Sequence, residues 1–203
     1  MGKLFTIGYS GQDMPSFIAL LKANAVDVIC DVRSTPYSTY KPDFSRSPFK
    51  SSLNAAGIKY TFLGDQLGAR PKDRSCYING QATYGRIAES DFFKAGLARV
   101  RAGSAIMNLA LVCSERDPIE CHRAILVCRN LDDIRPRIAH IHGDGHIEDQ
   151  QAFEARLVEF YGLTPPPLLQ QPGDWERALE TAYNKQGDGI AFQERYPPRS
   201  EGN

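Results

Sequence analysis

The sequence lacks a long apolar run and an excess of either charge. No apolar stretch approaches the ~20 residues that a membrane-spanning helix needs, and the first residues do not form a signal peptide. Lys and Arg number 24, and Asp and Glu also number 24, so the net charge is zero. We therefore expect no membrane partner, and the charge of the whole chain gives no argument for nucleic acid, although a local basic surface is compatible with it.

Several catalytic motifs are also missing. The chain contains no Gly-x-Gly-x-x-Gly, no Walker loop, no Gly-x-Ser-x-Gly and no Cys-x-x-Cys. A phosphatase-like loop needs an arginine six positions after its cysteine, but Ile119 and Val127 stand at that distance from Cys113 and Cys121. The remaining cysteines fail the same test. These absences argue against dinucleotide binding through that motif, thioredoxin chemistry and zinc ribbons.

Cysteine usage and composition indicate an intracellular globular chain. Five cysteines are an odd number, which argues against a secreted disulfide framework and favours the reducing cytoplasm. Hydrophobic residues make up 42% and charged residues 24% of the 203 residues. A chain of this length buries roughly 70% of its unfolded surface on folding and needs no disulfide or metal to fold.

Strand-like and helix-like segments alternate along the chain. Apolar runs predict strands over residues 3–8, 26–32, 58–63, 105–113 and 137–142. Helical spacing predicts helices over 15–25, 48–56, 89–101, 118–131, 148–161 and 175–185, the fourth of them capped by Asp117 and Pro118 with Glu120 completing a capping box. The alternation predicts an α/β fold: a three-layer, mostly parallel sheet flanked by helices, Rossmann-like in outline.

The chain divides near a proline run. We expect residues 1–163 to form a single α/β domain. Residues 164–203 are expected to supply a Pro-rich connector, a short helix that packs back through Trp175, Leu179 and Tyr183, and a frayed tail from Pro197.

Two long loops combine basic and aromatic residues. Residues 33–50 carry Arg33, Lys41, Arg46 and Lys50 against one acid, and residues 64–86 carry Arg70, Lys72, Arg74 and Arg86 against two. Tyrosines and phenylalanines lie between these cations. The combination suits phosphates and stacked bases, but it is equally typical of aromatic anchors beneath solvated charges.

Polar residues gather where the predicted strands end. Ligands of parallel α/β sheets bind outside the carboxyl ends of the strands, so these residues predict a pocket. Tyr9 and Ser10 follow the first strand, Asp31 and Arg33 end the second, and Cys113 and Glu115 end the fourth. An arginine at such a place can bind a phosphate or carboxylate; alternatively, Arg33 or Arg123 pairs with Asp31.

Cys113 and Cys121 allow two interpretations. Near a strand end and in the first turns of a helix, a thiol can become a thiolate, with His122 or Arg123 adding positive charge and Glu115 moving protons. Alternatively, the spacing of Cys121, Ile125 and Cys128 is that of a buried helix face.

A second group of polar residues follows the fifth strand. His140 and His142 share a face of the strand, with Asp144 and His146 close behind. They suit a shared metal or simply an exposed strand end, and we assign no metal ligand from the sequence.

Three motifs occur in order: Thr6-Ile-Gly-Tyr-Ser10, Asp31-Val-Arg33-x-x-Pro36-x-Ser38 and Cys113-x-Glu115-x-x-Pro118-x-x-Cys121-His122-Arg123. Together they resemble the Domain of Unknown Function 488 family, over roughly residues 3–161. The resemblance implies a fold and a set of site residues but no settled activity.

The leading hypothesis is a small cytoplasmic enzyme that acts on a phosphorylated or nucleic-acid-related substrate at the strand C-terminal edge. The expected catalytic residues are Cys113, Glu115, Cys121 and His122, and the expected substrate-binding residues are Tyr9, Ser10, Asp31, Arg33 and Arg123. The alternatives are a non-catalytic nucleic-acid-binding module and a Cys/His metalloprotein. The partner is expected to be a small anionic ligand or nucleic acid, and the sequence names neither a cofactor nor an oligomeric state.

Overall fold

The computed structural model of the chain describes residues 2–166 and 171–194. A six-stranded sheet forms the centre of the molecule, and its strands are β1 Leu4–Gly8, β2 Val28–Asp31, β3 Lys59–Phe62, β6 Leu109–Cys113, β7 Ile138–Ile141 and β8 Ile147–Asp149. Their order in the sheet is β3-β2-β6-β1-β7-β8. A separate hairpin consists of β4 Tyr77–Ile78 and β5 Gln81–Ala82.

The central strands are buried on both faces, as their near-continuous apolar runs predict. All five residues of β1 and all five of β6 are buried. Strands β1, β2, β3, β6 and β7 pair in parallel, and β8 pairs antiparallel with β7 at one edge. The predicted α/β class with a mostly parallel sheet is confirmed.

Helices cover both faces of this sheet. They are α1 Met14–Ala23, α2 Arg46–Ala55, α3 Gly64–Leu67, α4 Tyr84–Glu89, α5 Asp91–Ile106, α6 Gln150–Phe160 and α7 Asp174–Ile190. One core joins the sheet to α1 and α2 through Phe17 and Phe49, and the other joins it to α5, α6 and α7 through Phe93, Phe153 and Tyr183. No helix in the described part of the chain is long and apolar enough to span a membrane.

The prediction of an α-helix that starts at Asp117 is wrong in both the position and the type of the helix. The Asp117 carboxylate accepts the backbone N–H of Ile119, as a helix cap does, but the next backbone bonds run from Glu120 N–H to the Asp117 oxygen and from Cys121 N–H to the Pro118 oxygen, which makes turns and not an α-helix. Regular backbone begins after His122 and is a π-helix over Arg123–Val127, followed by a 3₁₀ turn. Cys121 stands at the start of this helix: its backbone oxygen accepts the N–H of Ile125, and the Arg123 backbone N–H donates to its Sγ at 3.5 Å, so the helix start still favours its thiolate.

Other boundaries differ by a few residues. Residues 105 and 106, predicted as strand, end α5, because the apolar run continues from one element into the next. The short strands β4, β5 and β8 were not predicted, since two or three residues leave little pattern. Helix α7 is longer than expected and packs through Leu179 and Tyr183, with Trp175 partly buried beside them. The predicted tail from Pro197 lies outside the described residues, and the division near residue 163 stays a prediction.

The connectivity opens a crevice at the carboxyl edge of the sheet. β1 and β6 are neighbours, but the chain leaves β1 towards the face covered by α1 and leaves β6 towards the opposite face. Diverging connections after adjacent parallel strands leave a cleft above the strand ends. Three residues stand at this edge: Tyr9 directly follows β1, Arg33 lies two residues beyond β2, and Cys113 is the last residue of β6.

A chain of hydrogen bonds crosses the core from the π-helix to α7. Arg123 Nε donates to Thr6 Oγ1, and the Thr6 hydroxyl lies 2.8 Å from His140 Nδ1. His140 Nε2 lies 3.1 Å from Gln150 Oε1, while the Gln150 amide donates to Glu154 and Tyr183. Each contact has a donor and an acceptor when the His140 ring is neutral with its hydrogen on Nε2.

We predict that His140 makes the protein sensitive to acid. Burial and the Arg123 charge lower its pKa from 6.5 to about 3, so between these pH values His140 is protonated in the unfolded chain and neutral in the folded chain. The contribution of His140 to the free energy of unfolding is therefore fully present above pH 6.5 and falls on acidification, by up to about 1.4 kcal/mol per pH unit. Urea unfolding between pH 7.5 and 4, compared with His140→Gln, measures this slope.

His146, which is exposed, is the matched control. His146→Gln should keep the wild-type slope, whereas His140→Gln should flatten it. An unchanged slope in His140→Gln would contradict the prediction, whatever the absolute stability of that variant.

Candidate active site

A cavity of about 390 Å³ occupies the crevice at the strand ends. Its walls come from the ends of β1, β2 and β6, from the loop after α3, from the start of α4, and from the end of α7. The lining residues are Tyr9, Arg33, Ser34, Thr35, Tyr37, Ala69, Arg70, Tyr84, Cys113, Ser114, Glu115, Glu120, His122, Ile190 and Phe192.

The cavity floor brings together the residues expected to be catalytic. Cys113, Glu115, Cys121 and His122 each place one donor atom so that all four lie within 4.8 Å of one another. Cys113, Glu115 and His122 line the cavity, while Cys121 lies behind them and is 1% exposed. We call these residues the Cys-His-Glu cluster.

The His122 ring is held in one orientation. Its Nε2 lies 3.0 Å from the backbone oxygen of Val32, which can only accept, so Nε2 carries a hydrogen. Its other nitrogen, Nδ1, lies 3.6 Å from Cys113 Sγ and 3.9 Å from Cys121 Sγ. One imidazole nitrogen therefore faces both sulfur atoms.

Glu115 is held at both carboxylate oxygens. The Ser114 hydroxyl donates to one oxygen at 2.8 Å, and the Cys121 thiol donates to the other at 3.0 Å. Burial raises the pKa of Glu115, but hydrogen bonds from the Cys113 and Cys121 thiols outweigh burial and lower the pKa to about 2. The carboxylate is therefore ionised at neutral pH.

The two thiols differ in acidity. Burial and the neighbouring Cys121 and Glu115 raise the pKa of Cys113 well above 9. Burial also opposes ionisation of Cys121, but a hydrogen bond from Cys113 and the positive charge of Arg123 outweigh burial and lower its pKa below the usual value. The more acidic sulfur is thus the one behind the cavity, and the sulfur that faces the cavity is the less acidic.

Arg123 lies beneath the cavity and not in its wall. The side chain is 1% exposed, and its guanidinium donates to the backbone oxygens of Glu115 and Arg116 as well as to Thr6. These bonds hold the loop after β6 against β1. Within the described residues Arg123 has no ion pair with a carboxylate.

Arg33 reaches the cavity but is already paired. Its Nε and Nη2 donate to the two oxygens of Asp31 at 2.9 and 2.6 Å, and its Nη1 donates to the Phe44 backbone oxygen. Asp31 is fully buried and also accepts from the Tyr60 hydroxyl. Burial alone lowers the pKa of Arg33, but the hydrogen bonds that Arg33 donates to Asp31 outweigh burial and raise the pKa above its usual value.

The remaining predicted binding residues are divided between wall and scaffold. Tyr9 lines the cavity and stacks on Phe44 with ring centroids 4.5 Å apart. Ser10 is not in the wall; its backbone N–H donates to the Ser114 oxygen.

Sequence reasoning placed no site residue on the last helix. Ile190 and Phe192 close one side of the cavity. Nothing near them marks a pocket, because their role depends on how α7 packs. Arg70, by contrast, is one of the basic residues that the sequence places in the second long loop.

The histidines in and after β7 bond to different partners. His140 is buried between Thr6 and Gln150, while His142 Nε2 lies 3.0 Å from Glu148 and the His146 ring lies beside that of His142, with ring centroids 5.6 Å apart. Across the described residues, only the Cys-His-Glu cluster has three or more donors close enough for one metal ion.

The loop cations lie mainly against aromatic rings of the protein itself. Arg46 lies 4.4 Å from the Phe62 ring centroid, Arg70 4.5 Å from that of Phe192, and Arg74 4.8 Å from that of Tyr77. Arg74 is also paired with Glu194. Tyr37 and Tyr40 remain 68% and 98% exposed.

A family described as "Domain of unknown function DUF488" has a model that matches residues 13–129, more than half of the chain. The matched segment contains the whole Cys-His-Glu cluster. No curated protein and no solved structure matches the chain significantly.

We predict that Asp31→Asn strongly destabilises the protein, because it leaves the buried Arg33 guanidinium without its counter-charge. Removing one partner of a buried ion pair costs roughly 3–5 kcal/mol. Urea unfolding followed by circular dichroism measures the loss.

The double variant Asp31→Asn/Arg33→Met should recover much of this stability, since it removes both charges. Asp65→Asn is the matched control, because the Asp65–Lys72 pair is exposed. An Asp31→Asn variant as stable as Asp65→Asn would contradict the prediction.

Proposed function

We propose that this protein, which belongs to the DUF488 family, is an enzyme that acts on a small phosphorylated, nucleotide-class substrate held in the cavity. The observation that carries the proposal is the position of the Cys-His-Glu cluster, which forms the floor of a polar cavity at the carboxyl edge of the sheet. Perturbed titratable groups that converge in a cleft are typical of active sites.

Arg70 is the group best placed to bind the substrate anion. Its guanidinium is exposed, lines the cavity and lies over the Phe192 ring, and its backbone N–H donates to Ser34 Oγ. Stacking on a ring orients a guanidinium and leaves its edges available for two phosphate oxygens. Arg33 is also in the wall, but Asp31 already neutralises its charge. Ser34 and Thr35 add hydroxyl groups nearby.

Glu115 is the proposed proton acceptor. It lines the cavity, is ionised, and is oriented by Ser114. Glu120 also lines the cavity but is not part of the cluster. A positioned carboxylate of this kind contributes on the order of 10²–10⁴ in rate by general base catalysis.

Cys113, Cys121 and His122 form the reacting centre against which the substrate phosphate lies. Both sulfur atoms lie within 3.9 Å of one imidazole nitrogen, so they act as a group and not as one free nucleophile. Arg123, which bonds to the Glu115 backbone oxygen, is proposed as a positioning residue for that group. All five cysteines are unpaired, which supports the reducing cytoplasm as the place of action.

A second candidate function, binding of single-stranded nucleic acid without catalysis, is favoured by the two exposed rings of Tyr37 and Tyr40. Tyr37 is in the cavity wall and Tyr40 is almost fully exposed beside Lys41. Aromatic rings next to cations stack on bases. This function requires that affinity fall steeply with salt and that Tyr40→Ala weaken binding.

We predict that Arg70→Ala weakens binding of inorganic phosphate and of adenosine monophosphate by roughly 10- to 100-fold, because a charged hydrogen bond is lost. Isothermal titration calorimetry measures both dissociation constants. Arg99→Ala is the matched control, since Arg99 is an exposed arginine bonded to Gln66 and outside the cavity wall.

Turnover is tested with a panel of nucleotides, phosphomonoesters and phosphodiesters. Glu115→Gln should lower the rate at least 100-fold, and Glu120→Gln should stay within about threefold of the wild type. Absence of phosphate and nucleotide binding by the wild type would refute the proposed function.

A further inference from the structure

The donor atoms of the Cys-His-Glu cluster are spaced like the corners of a metal site. With metal–sulfur bonds of about 2.3 Å and metal–nitrogen bonds of about 2.0 Å, neighbouring donors around a tetrahedral zinc ion lie roughly 3.3–3.8 Å apart. The distances from His122 Nδ1 to the two sulfurs are 3.6 and 3.9 Å, and that from Cys121 Sγ to Glu115 Oε2 is 3.0 Å. Small side-chain adjustments would bring all four donors onto one ion.

The surroundings of the cluster orient these donors towards a common centre. The Val32 backbone oxygen takes the Nε2 hydrogen of His122, so a neutral ring directs the lone pair of Nδ1 at both sulfurs. Ser114 holds Glu115, and the Arg123 backbone N–H lies 3.5 Å from Cys121 Sγ. Metal-ligating histidines and carboxylates are usually held by such outer hydrogen bonds.

We propose that Cys113, Cys121, His122 and Glu115 bind one zinc ion at the floor of the cavity. On binding, each thiol gives up its proton to solvent and two sulfur–zinc bonds form, so no oxidation is involved. Thiolate and imidazole ligands select zinc over magnesium or calcium, which prefer oxygen.

The position of the ion suits a catalytic role. Cys113, Glu115 and His122 line the cavity, so the ion would face it. Catalytic zinc sites keep one position for water or substrate, and the Glu115 carboxylate is the donor that a phosphate oxygen can replace. Only this catalytic role rests on the proposed function; zinc binding itself does not.

The test begins with the untagged full chain purified without chelator. We expect about one zinc per chain by inductively coupled plasma mass spectrometry. After zinc is replaced by cobalt, we expect the visible bands of a tetrahedral ion and a thiolate-to-cobalt charge-transfer band with the intensity of two thiolates. Neither measurement depends on a variant that could fail to fold.

Variants then identify the ligands. Cys113→Ser, Cys121→Ser and His122→Ala should each weaken zinc binding at least 100-fold in competition with a chromogenic chelator, and Glu115→Gln less than that. Cys76→Ser is the matched control, because Cys76 is equally buried but outside the cluster. It should keep the wild-type zinc affinity, with folding checked by circular dichroism.

Three results would overturn the inference: no zinc uptake by the folded wild type, a cobalt spectrum without thiolate bands, or a Cys113–Cys121 disulfide in protein purified under nitrogen. Phosphate binding by a wild-type chain that takes up no zinc would refute the metal site and leave the proposed function standing. One zinc per chain without any phosphate or nucleotide binding would refute the proposed function and leave the zinc site standing.

Discussion

The buried guanidinium of Arg123 is the interaction on which the site depends. It joins Thr6 in the central strand to the backbone of residues 115 and 116, and through Thr6 it is linked to His140 and α7. The loop after β6 carries Glu115 and leads to Cys121 and His122. Because one side chain holds that loop against the sheet, the geometry of the cavity floor is set by the interior of the protein and not by its surface.

The sheet could be predicted because its strands are buried on both faces. Runs such as Leu109–Cys113 have no polar residue to confuse their pattern, and parallel pairing then places their ends at one edge. This reasoning brought Cys113, Glu115, Cys121 and His122 together before any geometry was known. It could not show which sulfur faces the cavity, because that depends on side-chain direction after an irregular turn.

The failures have identifiable physical causes. Asp117, Pro118 and Glu120 carry the pattern of a helix start, but the backbone N–H groups of Glu120 and Cys121 bond to oxygens three residues earlier and the chain turns instead. The helix then begins later, with the wide backbone of a π-helix, a form that is frequent at functional sites. The Arg33–Asp31 pair was one of two equal alternatives, since the choice between a buried carboxylate and a substrate anion depends on burial that a sequence does not display.

One side of the cavity wall comes from a part of the chain distant from the floor. The segment matched by the family contains the complete floor, whereas Ile190 and Phe192 lie about 60 residues beyond it. The last described residues bond to the β4–β5 hairpin and to the turn before it. The Phe192 backbone oxygen accepts the N–H of Ala82, and Glu194 forms an ion pair with Arg74. A change in this terminal segment would therefore alter one side of the cavity and leave the Cys-His-Glu cluster beneath it unchanged.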